Sequence, residues 1–103
     1  MAQFDVFVNP VRGARSTFPF VVTMQSELAV NPVYQMVAPV ATRGAFAGGA
    51  RLTPKVEIEG KQSVVLVPHM TVLPSRDLKT AIGSVAQARR ELLAAIDLLF
   101  FGV

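Results

Sequence analysis

The stretch that decides the fold runs from Val56 to Val67 and reads VEIEGKQSVVLV. It joins an alternating apolar segment, a short polar turn and a continuous apolar run, the pattern of two antiparallel strands. Gly60 supplies the positive φ angle that a tight turn between such strands needs. We therefore predict a β-hairpin with strands over Val56–Ile58 and Val64–Val67.

Three segments before this hairpin also predict strands, over residues 3–8, 18–24 and 36–41. In the first strand, Phe4, Val6 and Val8 are expected to share one face. Pro19 must lie at an edge or at the start of the second strand, because proline has no amide hydrogen to donate. The remaining segments are predicted as a loop over residues 25–34 and a flexible, glycine-rich connection over residues 44–51. Residues 70–73 are expected to continue or follow the hairpin.

The C-terminal region predicts one amphipathic helix. Ser84 and Gln87 have the spacing of a capping box, which places the helix start at Ser84. Apolar residues then recur at three- and four-residue steps, as on a helix packed along one face, at Val85, Ala88, Leu92, Ala95, Ile96 and Leu99. Gly102 lies where a helix commonly ends. Several short strands and one terminal helix together predict a small, bent sheet or open barrel with the helix attached.

The apolar tail after this stripe reads FFGV. Residues this close to a chain end fray unless something holds them. Phe101 and Val103 are therefore interpreted as a partner-binding tip, since exposed aromatic residues are common binding hot spots. Asp97 lies one helical turn before Phe101 and either borders this tip or is an ordinary exposed aspartate.

Composition narrows the class of protein. With 103 residues, of which 51% are hydrophobic and 17% charged, the chain is predicted to form a single domain over residues 1–103. A small protein this apolar also predicts an oligomer interface. Its net charge of +3 comes from dispersed basic residues, which do not indicate nucleic-acid binding. Without cysteine, a signal-peptide pattern or a membrane-spanning stretch, a soluble cytoplasmic protein without membrane contact is expected.

Few residues suggest catalysis or metal binding. His69 is the only histidine, and a strand or turn position is favoured for it over a catalytic base. Glu57 and Glu59 alternate as paired carboxylates could, but a solvated hairpin face is the favoured interpretation. The glycines of residues 44–49 lack the lysine and hydroxyl residue that end a phosphate-binding loop. We therefore expect no catalytic residues, no metal site and no cofactor, in a protein that is not an enzyme.

Six segments, in their order and spacing, are similar to one known family. They read QFxV at residues 3–6, FVVxMQSEL at 20–28, MVAPV at 36–40, PxVxI at 54–58, VxP at 72–74 and AIDLLFFGV at 95–103. Together they resemble the CcdB toxins of bacterial toxin–antitoxin modules, and the resemblance runs from residue 3 to residue 103.

The resemblance implies a mainly β fold with a C-terminal helix, the SH3-like barrel of the CcdB/MazF type, assembled as a homodimer. It implies a toxin that binds the GyrA subunit of DNA gyrase and traps the covalent gyrase–DNA cleavage complex. A CcdA-type antitoxin would neutralise this toxin through a disordered segment. The pair would repress its own operon, so operator DNA would be bound only through the antitoxin complex.

The resemblance also assigns the gyrase-binding residues, which fall on Phe101, Gly102, Val103, Asp97, Leu28 and Ala29. Phe101 replaces the family's tryptophan, so it keeps the apolar face but has less area and no indole N–H. Asp97 replaces an asparagine and adds a negative charge, which changes the partner surfaces that are complementary to it. Leu28 and Ala29 replace two isoleucines, and Ala29 offers less contact area.

Two other functions stay open. The related MazF-type toxins are endoribonucleases with this barrel, and fold alone does not decide function. A ribonuclease needs a basic, polar cleft with an acid–base pair, and the candidates Arg15, Thr17, Thr42 and Arg43 form no convincing set. The third possibility is a non-toxic binding module with the same fold.

Overall fold

A computed structural model describes residues 2–29, 33–42 and 51–102 of the chain. In this part of the chain, seven strands form a nearly closed, barrel-like sheet, and one α-helix follows the last strand. The elements are β1 (Asp5–Val8), β2 (Phe20–Thr23), β3 (Tyr34–Thr42), β4 (Lys55–Ile58), β5 (Lys61–Val65), β6 (Thr71–Pro74), β7 (Gly83–Ser84) and α1 (Arg89–Phe101). This confirms the predicted mainly β, SH3-like barrel with a C-terminal helix.

The sheet is antiparallel and runs in the order β4-β5-β3-β2-β1-β7, with β6 paired to β3 beside this path. The long strand β3 is central to the sheet, because β2, β5 and β6 all pair with β3. The start of β3 at residues 34–37 pairs with β6, and its end at residues 40–42 pairs with β5. The path therefore ends at β4 on one side and at β7 on the other.

The predicted hairpin is confirmed, but its second strand, β5, spans Lys61–Val65 and not Val64–Val67. β4 and β5 pair from Lys55 opposite Val64 to Ile58 opposite Lys61, which leaves Glu59 and Gly60 as the turn. Glu59 has φ 51° and Gly60 has φ 76°. Positive φ at both central residues is the turn geometry that matches the twist of paired strands.

The main hydrophobic core contains residues from six strands or their flanks and from α1. Its buried members are Phe4, Val6, Phe20, Val22, Met24, Ala38, Val40, Val56, Ile58, Val65, Val67, Val85, Leu92 and Ala95. A second, smaller cluster joins Phe7, Val21, Val37 and Leu78. Because successive side chains of a strand point to opposite faces, the neighbours Val21 and Val22 place these clusters on opposite faces of β2. All four residues of β2 are buried, in agreement with the three consecutive apolar residues that begin it.

The first strand begins later than predicted, at Asp5, because Phe4 has φ 69°, which lies outside the strand region. Phe4 and Val6 are buried in the main core as expected. Val8 was expected on the same buried face but is 45% exposed, since it lies in the last residue pair of the ladder between β1 and β2. Pro19 directly precedes β2, the position that its missing amide hydrogen allows.

The third strand is longer than predicted. Tyr34, predicted to lie in a loop, begins β3 because β6 provides Pro74 as its partner. β6 is a strand of its own, separated from β5 by a 3-10 helix at Val67–His69. Residues 44–50 of the connection predicted over residues 44–51, and residues 30–32 of the predicted loop, lie outside the described residues.

The predicted capping box at Ser84 and Gln87 is wrong, because α1 begins at Arg89. Ser84 ends β7 and pairs with Asp5 of β1, so its backbone belongs to the sheet. The Ser84 hydroxyl accepts a hydrogen bond from the Ala86 amide at 3.1 Å. A short 3-10 helix at residues 86–88 then leads into α1.

Candidate functional site

The last turn of α1 leaves the core. Leu92 and Ala95 are fully buried, and Ile96 packs against the main core. Leu99, which the sequence pattern also places in the core, is 37% exposed. That prediction is wrong, because Ile96 is the last residue of α1 that packs against the main core and the C-terminal turn extends past it.

Two aromatic side chains lie on this exposed turn. Phe100 is 63% exposed and Phe101 is 74% exposed. At the helical rotation per residue, Phe101 lies about 180° around the axis from Leu92. Phe101 therefore points away from the core, and the two exposed rings give the end of α1 an apolar surface, as interaction sites have.

Gly102 ends the helix as predicted. Its φ of 74° is left-handed, and its amide donates a hydrogen bond to the Leu98 carbonyl at 3.0 Å. A residue with a Cβ atom is strained in this conformation, which is why glycine is common here. The cap fixes the direction in which the chain leaves α1 directly after Phe101. Val103 lies outside the described residues.

Asp97 is exposed on α1, one turn before Phe101. Residues four apart are neighbours on a helix surface, so the carboxylate and the Phe101 ring share one face. This exposed face combines an aromatic ring with one negative charge. It can bind an apolar slot on a partner that also offers a positive or hydrogen-donating group.

The second part of the predicted site lies on the 3-10 helix that follows β2. Leu28 is 98% exposed and Ala29 is also exposed. The Ser26 hydroxyl accepts from the Leu28 amide at 3.1 Å, and the Ser26 carbonyl accepts from the Ala29 amide at 2.9 Å. The Gln25 side chain donates to the Ala29 carbonyl and accepts from the Met36 amide. These bonds fix the backbone that presents Leu28 to solvent.

The structure places the predicted residues in two sets. Asp97, Phe101 and Gly102 share the end of α1, whereas Leu28 and Ala29 lie on the 3-10 helix after β2. α1 packs into the main core through Leu92 and Ala95 and also contacts the 3-10 helices Val67–His69 and Ala86–Ala88. The two sets are therefore separate elements of one chain.

Sequence reasoning missed an exposed apolar strip on β3 and β6, formed by Tyr34, Met36 and Val72. Their exposed fractions are 51%, 37% and 49%. Met36 and Val72 are directly opposite each other, and Tyr34 is two residues from Met36 on the same face. The alternation of Tyr34 and Met36 was the available signal, but it was hidden by the assignment of Tyr34 to a loop.

Among the candidates for ribonuclease activity, Arg15 and Thr17 lie in the turn before β2, whereas Thr42 is the last residue of β3. The Nε of Arg15 donates to the Asn9 carbonyl at 2.5 Å and so holds the loop after β1. Thr17 and Thr42 are exposed, and Arg43 lies outside the described residues.

The other candidate groups lie on the surface. His69 is exposed on a 3-10 helix, in agreement with the predicted turn position. Glu57 and Glu59 are exposed on the hairpin, as a solvated face requires. Within residues 2–29, 33–42 and 51–102, no three His, Cys, Asp or Glu side chains are grouped as metal ligands would be. In the same ranges, no helix has the length and apolarity needed to cross a membrane.

Comparison with known proteins gives the family. The sequence matches the family described as CcdB protein over residues 3–102, nearly its whole length. In the comparison with curated proteins, no sequence matches significantly. The extent of the family match agrees with the barrel and terminal helix described above. The chain belongs to the CcdB family.

Proposed function

We propose that this chain is a CcdB-type toxin that binds the GyrA subunit of DNA gyrase and traps the gyrase–DNA cleavage complex. Family membership over residues 3–102 supports the toxin assignment. The observation that carries the gyrase assignment is the Phe101 ring, 74% exposed on the side of α1 opposite the core. Such a ring is free to fill an apolar slot on a partner, and aromatic anchors of this kind dominate binding energy at interfaces.

The toxin acts as a homodimer in this proposal. The apolar strip of Tyr34, Met36 and Val72 supplies an exposed face that a second copy would bury, with the α1 helices close to the two-fold axis. Each protomer would then present one Phe101 ring to a two-fold symmetric partner. Two linked contacts raise avidity without any new chemistry.

The proposed mechanism is non-enzymatic. Trapping a complex requires differential binding to one state of gyrase and no bond breaking by this chain. The chain therefore needs no metal ion and no cofactor. A CcdA-type antitoxin would neutralise it by binding the toxin, and operator DNA would be bound through that pair.

A gyrase cleavage assay tests the proposal. Purified protein is added to supercoiled plasmid, gyrase and ATP, and linear DNA is measured after detergent and protease treatment. Wild-type protein should increase linear DNA, and Phe101→Ala should abolish the increase. Val11→Ala is the matched control, because Val11 is 50% exposed but lies far from α1 in the sequence, on the loop after β1. Absence of linear DNA at saturating wild-type protein would refute the gyrase assignment.

A further inference from the structure

A groove separates the two ends of the sheet. Residues of β4 and of β7 line it from opposite sides, and α1 with the preceding 3-10 helix forms the third wall. Its volume is about 630 Å³. That value lies within the range of roughly 300–1,000 Å³ that ligand pockets occupy. The wall contributed by α1 comes from its first turns, at Glu91 and Ala94, and not from the Phe101 end.

Among the described residues, no strand other than β5 pairs with β4, so the outer edge of β4 faces this groove. The Val65 amide donates to the Pro54 carbonyl at 2.9 Å, so Pro54 and Val65 are a hydrogen-bonded pair between β4 and β5. Hydrogen-bonded and non-hydrogen-bonded pairs alternate along an antiparallel ladder. Residues 54, 56 and 58 therefore direct their backbone groups to β5. In an antiparallel pair the intervening residues direct theirs to the other side. The N–H and C=O groups of Lys55 and Glu57 thus face away from β5, and both residues line the groove.

The side chains of β4 add a charge pattern to this edge. Lys55 and Glu57 are exposed on one face, and Val56 between them is buried on the other. The edge therefore offers a positive charge, an apolar position and a negative charge in order. Val85 and Ala88 continue the apolar lining next to Val56.

We propose that this groove binds an extended peptide segment of a partner protein, which adds a strand to the outer edge of β4. In the antiparallel register, the segment carries a basic residue opposite Glu57, a small apolar residue opposite Val56 and an acidic residue opposite Lys55. Its backbone exchanges hydrogen bonds with Lys55 and Glu57, and cross-strand charge pairs select its sequence. This site is separate from the proposed gyrase contact, so either assignment can fail without the other.

The probe is the acetylated and amidated hexapeptide TKVEVT, titrated into isotopically labelled full-length protein and followed by NMR. Saturable shifts should be confined to residues that line the groove, including Lys55, Glu57 and Ala88. In this register the Lys and Glu amides of the peptide donate to β4, whereas its Val amides do not. N-methylation of the Lys and Glu amides should weaken binding at least about tenfold, and N-methylation of both Val amides should change it by less than about threefold.

A charge reversal tests the sequence preference. Lys55→Glu should weaken TKVEVT about three- to tenfold and should favour the peptide TKVKVT instead. The matched control is Lys61→Glu, which makes the same charge change at an exposed residue of β5 that does not line the groove. TKVEVT should bind that control variant as it binds the wild type.

Three results would overturn the proposal. The first is the absence of saturable binding up to millimolar peptide. The second is equal weakening by both N-methylation patterns or by both lysine variants, which would indicate non-specific attraction. The third is concentration-dependent self-assembly that Lys55→Glu abolishes, because the occupant of the groove would then be the β4 edge of a second copy.

Discussion

The guanidinium carbon of Arg89 lies 5.9 Å from the centroid of the Phe4 ring. The Nη1 of Arg89 also donates to the Oε1 of Gln3 at 2.9 Å. Phe4 is buried and has φ 69°, a backbone conformation that costs a bulky residue on the order of 1–3 kcal/mol. The first residue of α1 thus contacts the strained segment at the other end of the chain and helps to hold it in the core.

This contact predicts a difference between two adjacent arginines. Arg89→Ala should lower the free energy of unfolding by about 1 kcal/mol, because it removes the contact with Phe4 and the hydrogen bond to Gln3. Arg90→Ala removes a neighbouring exposed arginine and should stay within about 0.5 kcal/mol of the wild type. Urea denaturation followed by circular dichroism measures both. Equal values for the two variants would contradict the assigned role of Arg89.

The turn of the hairpin predicts opposite effects at its two residues. Glu59 has positive φ although it is not glycine, so Glu59→Asn should raise the midpoint of thermal unfolding, because asparagine tolerates this conformation better. Gly60→Ala should lower the stability by about 1 kcal/mol. Gly13→Ala is the control, because Gly13 does not have positive φ and has open space around its Cα. A similar loss from Gly13→Ala and Gly60→Ala would refute this explanation.

The two ends of α1 should differ in what they contribute to stability. Leu92→Ala should lower the free energy of unfolding by about 2–5 kcal/mol, because Leu92 is fully buried. Phe101→Ala should change it by less than about 0.5 kcal/mol, because the ring is largely solvated. Deletion of residues 101–103 should also leave the protein folded. A large loss of stability from Phe101→Ala would place this ring in a core and remove the basis of its proposed binding role.

Affinity for GyrA should respond to substitutions at the tip of α1. Phe101→Trp should strengthen binding, because indole adds buried area and a hydrogen-bond donor. Phe101→Ala should weaken it by about 2 kcal/mol or more, as loss of an aromatic anchor does. Asp97→Asn should strengthen binding if the carboxylate opposes the partner surface. Surface plasmon resonance with immobilised GyrA measures all three, and unchanged affinity across the series would locate the contact elsewhere, with Leu28 as the next candidate.

The apolar strip predicts the site of dimer formation. Met36→Glu should shift the protein from dimer to monomer at micromolar concentration, because it introduces a charge into the buried face. Val11→Glu places the same charge at a residue that is 50% exposed outside the strip and should leave the dimer intact. Sedimentation equilibrium distinguishes the two masses. A wild-type protein that sediments as a monomer would rule out the proposed assembly.

Local patterns predicted much of this fold. The hairpin followed from Gly60 and its flanking apolar segments, and the end of α1 followed from Gly102, because both positions have the positive φ that glycine favours. Strand ends were less predictable. Tyr34 belongs to β3 only because β6, distant in sequence, pairs with it. Ser84 and Gln87 have the spacing of a helix cap, but pairing of Ser84 with Asp5 overrides that local preference.

The candidate site was predicted in part. The exposed tip at Phe101 followed from its position beyond the apolar stripe, whereas the exposure of Leu99 did not, because periodicity shows which face a residue occupies and not where the packing ends. Leu28 and Ala29 came from the family resemblance alone. The groove beside β4 depends on the order of strands in the sheet, and no local pattern in the sequence reports that order.

The packing of α1 against the main core only as far as Ile96 has a consequence for how the tip can change over evolution. A substitution in the core persists only if it preserves the packing, whatever its effect on binding. Most such changes are removed by selection because they destabilise the fold. Phe100 and Phe101 are outside that constraint, since their rings are largely solvated. Their identities can therefore follow a changing partner surface one residue at a time, while the barrel that carries them stays the same.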